Sequence, residues 1–376
     1  MPALATTEAL AELLPDAEFL FMFPRRIAGG IKPGETLSLK HVVVPAPRID
    51  GSFHKLTAPL KTCAAFASSI KHYRRFRPDI VVGLGGYGCV MPVLAAKALS
   101  LPIMLFESNA IPGKAVSYLS RLADSVQVQW PETAEKLSCR RTIATGNPVR
   151  SQLLRRNRAD GCQRLRLDPN RTTLLVMGGS QGALDINCAL VETLEHVAAG
   201  HNLFPEGLQI LHLTGRRHLH RMRDISVPSG IIYRPMGYLD SMEDAYAAAD
   251  FALSRAGGST LAELTATGTP SILVPYPHAT DNHQEANAQI LAEAGAAFVI
   301  SQDDLEPESL AVAIHTLATD TRLRERMGRN ARKLGRPNAA RDVAIEIASL
   351  AGVQMPVRVK TDDRVTSIKK PLSKAA

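Results

Sequence analysis

The stretch RAGGSTLAELTATGTPSILVPYPHATDNHQEANA, residues 255–288 of 376, decides the reading of this chain. Small residues at 256–260 follow the apolar run FALS and open a helix, with Glu263 one turn in. A second apolar run, SILVP, then leads to a polar cluster of Asp281, Asn282, His283, Gln284 and Asn287. Strand, small-residue turn, helix and strand in that order is the repeat of a parallel α/β sheet. It also suits a nucleotide whose phosphates meet a helix N-terminus while side chains hold its ribose and base.

The same rhythm extends in both directions. Downstream of residue 150 it predicts strands over 172–177, 209–213, 231–234, 251–254 and 271–275. Helices are predicted over 184–198, 242–248, 259–266 and 284–294, with a closing helical region at 307–349. The first half gives strands over 18–23, 40–44, 79–83, 102–106 and 125–128, and helices over 56–76, 90–98 and 114–122. GNPVR (146–150) reads as the junction, and 376 residues exceed one ordinary core. The expected architecture is α/β, with two doubly wound, Rossmann-like domains and ligands where the carboxyl ends of both sheets face a shared cleft. The expected boundaries are 1–149 and 150–350, the last helices packing back on the first domain, followed by a basic flexible tail over 351–376. That tail carries six Lys/Arg against two Asp between residues 358 and 374.

Composition narrows the class. The chain is 45% hydrophobic and 21% charged, ordinary for a globular protein, and no run approaches the length of a membrane span. The N-terminus has no basic region followed by an apolar run, so secretion is not indicated. Five scattered cysteines with no CxxC pair fit reduced thiols better than disulfides or a zinc site. The net charge of +8 is uneven: no acidic residue lies between Asp50 and Asp79, where Lys55, Lys61, Lys71, Arg74, Arg75 and Arg77 fall. Leu56, Leu60, Cys63, Phe66 and Ile70 interleave at helical spacing. Such a segment either lies on an anionic membrane surface or is a core helix with a basic outer face. Nucleic acid is not an expected partner, because aromatic interleaving and any recognised binding module are absent.

Two turns are candidates for holding an anion. GGSQGA (178–183) lies between a strand and a helix, so glycines let the backbone approach a phosphate at a helix start. It matches neither GxGxxG nor GxxxxGK[ST], and a plain tight turn is the alternative. Gly257, Gly258, Ser259 and Thr260 form the second turn, and Glu263 beyond them either accepts ribose hydroxyls or complements the helix dipole. The amides of Gln284 and Asn287 suit sugar or base edges. His212, His218, His220 and His283 lack partners at metal spacing, so no metal site is expected. In the first half GLGGYG (83–88) and FESNAIPG (106–113) each end a strand and put Tyr87, Glu107 and Asn109 at the expected cleft rim.

Together PALA (2–5), GLGGYG, FESNAIPG, GNPVR, GGSQGALDIN (178–187), YLDSMEDAYAAAD (238–250), SRAGGSTLAEL (254–264) and HQEANA (283–288) make a specific resemblance. The chain resembles the bacterial peptidoglycan glycosyltransferases that convert lipid I to lipid II, the MurG family of undecaprenyldiphospho-muramoylpentapeptide β-N-acetylglucosaminyltransferases. The resemblance covers the chain to about residue 345. It implies a GT-B fold whose C-terminal domain holds UDP-N-acetylglucosamine, with no tightly bound cofactor. It matches Arg150 and Ser180, with Gln181 beside them, to the diphosphate. It also matches Gly258, Ser259, Thr260, Leu261, Ala262 and Glu263 to the segment wrapping phosphate and ribose. Leu239 corresponds to a backbone contact with uracil, Gln284 to a donor-sugar contact and Asn109 to a donor-site or cleft asparagine. Lipid I would approach the N-terminal domain. That domain is expected against the cytoplasmic face of the bacterial inner membrane, which favours the membrane reading of 56–77 and admits other cell-wall synthesis proteins as partners.

The implied reaction is an inverting displacement at the anomeric carbon, and it needs a general base. The family's usual candidate is a histidine in a strand and glycine loop, GGTGGH, immediately before PALA. Here Met1 precedes PALA directly, Phe106 stands where the family commonly has another histidine, and Ser108 replaces a common glutamine. The expectation is therefore either a start upstream of this sequence or a loss of loop and histidine, leaving Glu107 as the candidate base. Two other functions fit the same plan. One is a UDP-N-acetylglucosamine 2-epimerase-like isomerase, which would need acidic groups and a histidine around the sugar. The other is a non-catalytic UDP-sugar-binding protein, which would bind without turnover.

Overall fold

The apolar runs become strands because each can bury both faces, the pattern expected of parallel sheets covered by helices. The computed structural model describes residues 2–24, 40–44, 52–179, 182–200, 204–354 and 366–369. They form two units, Met1–Pro148 with Asn338–Ala376, and Val149–Pro337.

The first unit begins with α1 (Pro2–Leu13), β1 (Leu20–Pro24), β2 (Lys40–Val44) and α2 (Ser52–Phe76). It continues through β3 (Val81–Gly83), α3 (Val90–Ala98), β4 (Ile103–Glu107), α4 (Lys114–Leu119), β5 (Ser125–Val128) and β6 (Arg141–Ala144). The run IMLF in β4 shows why the strand is central. Ile103 and Leu105 enter one buried cluster with Val81, Val93, Val126 and Val128, while Met104 and Phe106 enter another on the opposite face. Strands β3, β4, β5 and β6 are parallel neighbours, and β1 and β2 pair separately in parallel.

In α2, Ala65, Ser69 and Tyr73 are buried at a spacing of four, and Phe66 and Ile70 pack against the same core. Lys61, Lys71, Arg74 and Arg75 face out, as does Cys63. The stripe therefore differs in part from the membrane-facing one expected: helical spacing turns Phe66 and Ile70 into the core shared with β3 and α3, while Cys63 stays at the surface with the basic residues. The side chains of Leu56 and Leu60 lie outside the described residues. Among the described residues no helix is long and apolar enough to cross a membrane.

The second unit contains α5 (Gln152–Arg155), α6 (Arg158–Leu165), β7 (Thr173–Met177), α7 (Leu184–Ala198), β8 (Gln209–Leu213) and β9 (Ile232–Met236). Next come α8 (Met242–Ala248), β10 (Phe251–Ser254), α9 (Gly258–Thr267), β11 (Ser271–Leu273) and α10 (His283–Glu293). The unit closes with β12 (Ala297–Val299), α11 (Pro307–Thr319) and α12 (Thr321–Leu334). Its six strands are all parallel, in the order β12-β11-β10-β7-β8-β9.

The chain then returns to the first unit through α13 (Ala339–Leu350) and β13 (Thr366–Lys369). Val343, Ala344 and Ile347 bury against Leu10, Met104 and Phe106, and Arg141 grips Glu346 through two bonds of 2.6 and 2.7 Å. The Glu346 carboxylate, through those bonds, raises the Arg141 pKa, while burial works against it. The boundary thus falls at 337/338 rather than at 350. Residues 366–369, read from sequence as part of a flexible tail, pair antiparallel with β6. Residues 355–365 and 370–376 of that tail lie outside the described residues.

Candidate active site

In the second unit the strand order reverses between β10 and β7, which are hydrogen-bonded neighbours. Reversal sends the following helices to opposite faces and opens a crevice at the carboxyl ends of those two strands. The described ends of one small-residue turn, 178–179 and 182–183, follow β7, and the other, 255–257, follows β10. Glycine is obligatory at two positions of the first turn. A Cβ on Gly178 would lie 2.1 Å from the Ala183 nitrogen, and one on Gly182, at φ +77°, would lie 2.3 Å from the Thr214 oxygen. Ser180 and Gln181 lie outside the described residues. The second turn enters α9 through an extended Gly257 that supplies no side-chain cap. Gly258, Leu261 and Ala262 are buried in the first turns of this helix, with Ser259 and Thr260 half-buried.

Arg255, which the sequence reading left without a role, ties these turns together. One guanidinium nitrogen donates to Asp185 Oδ2 at 2.7 Å and to Gln302 Oε1 at 2.8 Å. The other donates to the carbonyls of Val274 and Pro275 at 3.3 and 3.2 Å. Asp185 is in the first turn of α7, so a single buried arginine joins the helix behind one glycine turn to the start of the other. Burial lowers the Arg255 pKa, and the Asp185 charge opposes that shift. The available signal was a lone charge in an otherwise small, apolar stretch, SRAGG.

Gln284 and Asn287 both bond to backbone beside the second turn. The Gln284 Oε1 accepts the N–H of Ala256 at 3.2 Å and that of Tyr276 at 3.0 Å. Asn287 Nδ2 donates to the Ala256 carbonyl at 3.0 Å. The two amides thereby secure both sides of the residue before Gly257. Asp281 and Asn282, at φ 52° and 55°, turn the chain into α10 just ahead of them.

Glu263 lies one turn into α9, and its Oε2 accepts the Tyr246 hydroxyl at 2.9 Å. Tyr246 comes from α8, where Glu243 also stands 3.8 Å from Arg150. Burial raises the Glu263 pKa, while the Tyr246 hydrogen bond and the Arg150 charge pull it down. Burial, reinforced by Glu263, holds the Tyr246 phenol well above its ordinary range. Arg150, Glu243, Tyr246 and Glu263 thus form one polar group, of which sequence named only Arg150 and Glu263. Leu239 stands apart, half-buried in the turn after the edge strand β9.

In the first unit, Glu107 ends β4 and is 4% exposed. Its Oε1 accepts the Asn109 backbone N–H and Nδ2, both at 3.0 Å, and its Oε2 accepts the Gly113 N–H at 2.8 Å. The Thr133 hydroxyl donates to the Asn109 carbonyl at 3.0 Å. Glu107 and Asn109 therefore build one turn, whereas Tyr87, on the loop after β3, is 57% exposed. Among the described residues no group of three His, Cys, Asp or Glu side chains is placed to hold a metal.

With this geometry in hand, comparison with known proteins is specific. Residues 1–128 match the glycosyltransferase family 28 N-terminal domain, and residues 173–343 match the glycosyltransferase family 28 C-terminal domain. A Desulforamulus reducens protein named UDP-N-acetylglucosamine–N-acetylmuramyl-(pentapeptide) pyrophosphoryl-undecaprenol N-acetylglucosamine transferase is 35% identical over 352 residues, 91% of this chain and 93% of that one. A Bacillus cytotoxicus protein of the same name is 33% identical over 344 residues, covering 90% and 92%. The crystal structure of Acinetobacter baumannii MurG superposes with a TM-score of 0.70 at 26% identity, covering 93% of this chain and 95% of that one. A UDP-N-acetylglucosamine 2-epimerase structure reaches a TM-score of 0.61 at 16% identity and 96% coverage of both chains, a likeness of fold alone. Two Rossmann-like α/β domains on the GT-B plan are the shared architecture.

Proposed function

We infer how this chain works from its membership: it belongs to the MurG family of UDP-N-acetylglucosamine:lipid I N-acetylglucosaminyltransferases. It transfers N-acetylglucosamine from UDP-N-acetylglucosamine to lipid I, undecaprenyl-diphospho-N-acetylmuramoyl-pentapeptide, and forms lipid II. The observation that carries the site assignment is the pair of glycine turns at the β7/β10 reversal, joined through Arg255 and Asp185.

On this reading the UDP diphosphate lies against the turn 178–183, with Ser180 and Gln181, and against the start of α9 at Gly258, Ser259 and Thr260. Leu261 and Ala262 hold that start in the core. Arg150 adds positive charge, and backbone N–H groups at helix starts stabilise the leaving diphosphate as negative charge develops. Glu263 accepts the ribose hydroxyls, supported by the Tyr246 bond that favours its ionised form. The Leu239 backbone meets uracil. Gln284, its oxygen engaged by backbone, offers its amide NH2 to the donor sugar, and Asn287 secures the Ala256 carbonyl beside it.

The acceptor's muramoyl hydroxyl attacks the anomeric carbon opposite UDP. A carbon–oxygen bond forms as the bond to UDP breaks, and the hydroxyl proton passes to a general base. Glu107, buried and already accepting three N–H donors, suits shaping the acceptor-side turn with Asn109 better than accepting that proton. Tyr87, exposed nearby in chain order, is assigned to the acceptor side. The outward basic face of α2 supports attachment to an anionic membrane; on this reading the enzyme works peripherally at the cytoplasmic face of the inner membrane, with lipid I and other cell-wall synthesis proteins.

The test is transfer of labelled N-acetylglucosamine from its UDP donor to a lipid I analogue, with UDP binding measured on the same sample. Both are expected. Binding without turnover would keep the donor site and overturn the proton-transfer and acceptor assignments. Loss of both in folded protein would overturn the donor site.

A further inference from the structure

The interior of the second unit contains a histidine that the reaction as described does not use. His212 lies on β8 and is 0% exposed. Its Nδ1 is 2.8 Å from the Tyr233 hydroxyl and its Nε2 is 3.0 Å from Asn187 Oδ1. Asn187, also fully buried, donates from Nδ2 to the Thr214 carbonyl at 2.8 Å.

With a neutral imidazole these contacts permit one arrangement of protons. The Thr214 carbonyl can only accept, so the Asn187 amide must turn its NH2 there and its oxygen toward the imidazole. The imidazole must then carry its proton on Nε2, and its bare Nδ1 accepts from the Tyr233 hydroxyl. Burial lowers the His212 pKa to about 3, which keeps the ring in the neutral form that this arrangement requires.

The end of the relay decides its use. The Thr214 oxygen is the atom that a Cβ on Gly182 would strike, so the backbone at Gly182 packs directly on the carbonyl that Asn187 holds. Asn187 also bonds by its own N–H to the Ala183 carbonyl at 3.0 Å, in the first turn of α7. Thr214 is anchored on its other side by donating its N–H to the Met236 carbonyl at 2.9 Å. We propose that His212 is a positioning residue for donor binding: through Asn187 and Thr214 it sets the backbone of the turn at Gly182 that receives the UDP diphosphate. It touches no substrate. The proposal rests on the assignment of that turn to the diphosphate.

The test compares His212→Leu, His212→Gln and Tyr233→Phe with Ser180→Ala, a substitution within the turn itself, in the full chain. UDP affinity is measured by calorimetry and the KM for a lipid I analogue by transfer. His212→Leu is expected to weaken UDP about tenfold, with the acceptor KM changed less than about twofold. His212→Gln, which keeps an N–H donor, is expected to recover most of that loss. Tyr233→Phe removes only an oxygen, and it is expected to weaken UDP about threefold even if His212→Leu does not fold. Nitrogen NMR of labelled histidine is expected to find the ring neutral and protonated on Nε2; a proton on Nδ1 overturns the relay. Unchanged UDP affinity in folded His212→Leu or in Tyr233→Phe, with Ser180→Ala impaired, overturns the positioning role alone. Unchanged affinity in all four overturns the assignment of the turn, and the proposal with it.

Discussion

The Oε2 of Glu107 accepts the backbone N–H of Gly113 at 2.8 Å, closing the turn after β4 around a buried carboxylate. Glu107→Ala would strand that donor and both Asn109 donors, a loss of about 2–4 kcal/mol measured by thermal or urea unfolding. Glu107→Gln keeps one acceptor oxygen and should lose less. If the carboxylate were also the proton acceptor, Glu107→Gln would abolish turnover in protein that is still folded, so transfer and unfolding measured together separate the two roles.

Gly182→Ala places a methyl group 2.3 Å from the Thr214 oxygen at a φ of +77°. The strain and the displaced carbonyl should destabilise the second unit by more than about 1 kcal/mol. UDP affinity should fall with it. Gly257→Ala, where a Cβ meets nothing within 4 Å, is the mild comparison by calorimetry.

Removing the Tyr246 hydroxyl leaves Glu263 without the 2.9 Å bond that favours its charge, while the burial that raises its pKa remains. Tyr246→Phe should therefore push that pKa further up. UDP binding, which uses the carboxylate, should then be lost at a higher pH on acidification than in wild type. A pH series of UDP titrations reads this directly, and an unmoved acidic limb would count against Glu263 as the ribose acceptor.

Stability should also fall on the acid side through His212. The folded pKa of about 3 lies below the ordinary 6.5, so unfolded chains take up a proton that folded chains refuse. The contribution is intact above about pH 6.5 and declines by about 1.4 kcal/mol per pH unit below it, until the folded pKa is reached. Urea unfolding between pH 7 and pH 5 should show this slope in wild type and a shallower one in His212→Gln.

Reversing Lys71, Arg74 and Arg75 to glutamate alters only outward positions of α2. Binding to vesicles containing anionic lipid should drop by at least about tenfold, since each basic residue near such a surface contributes about 1 kcal/mol. Transfer to a soluble acceptor analogue should persist. Equal vesicle binding would remove this face from the membrane reading.

Much of this was legible because parallel strands announce themselves. The runs TTLLVM, FALS and IMLF have no other stable use than burial on both faces, and each became a strand within a residue or two of its expected bounds. Short strands escaped. Residues 141–144 and 297–299 are too brief to carry a period, and their pairing is decided by neighbours distant in sequence. The candidate turns were visible because glycines cluster where backbone must pass closely, and Gly178 and Gly182 do so. What remained hidden was the wiring: Arg255 to Asp185 spans 70 residues, and Tyr246 to Glu263 crosses from one helix to the next. No local pattern encodes such distances. The direction of α2 was equally hidden, since its apolar spacing fits a protein core as well as a bilayer.

The return of α13 to the first unit has a consequence for the order in which the molecule can be completed. A ribosome releases residues 1–148 long before Val343, Ala344 and Ile347 exist, and until then Met104, Phe106 and Leu10 lack the helix that buries them. The second unit is contiguous, from Val149 to Pro337. Burial of Leu10, Met104 and Phe106 is therefore completed only after the whole second unit has been made.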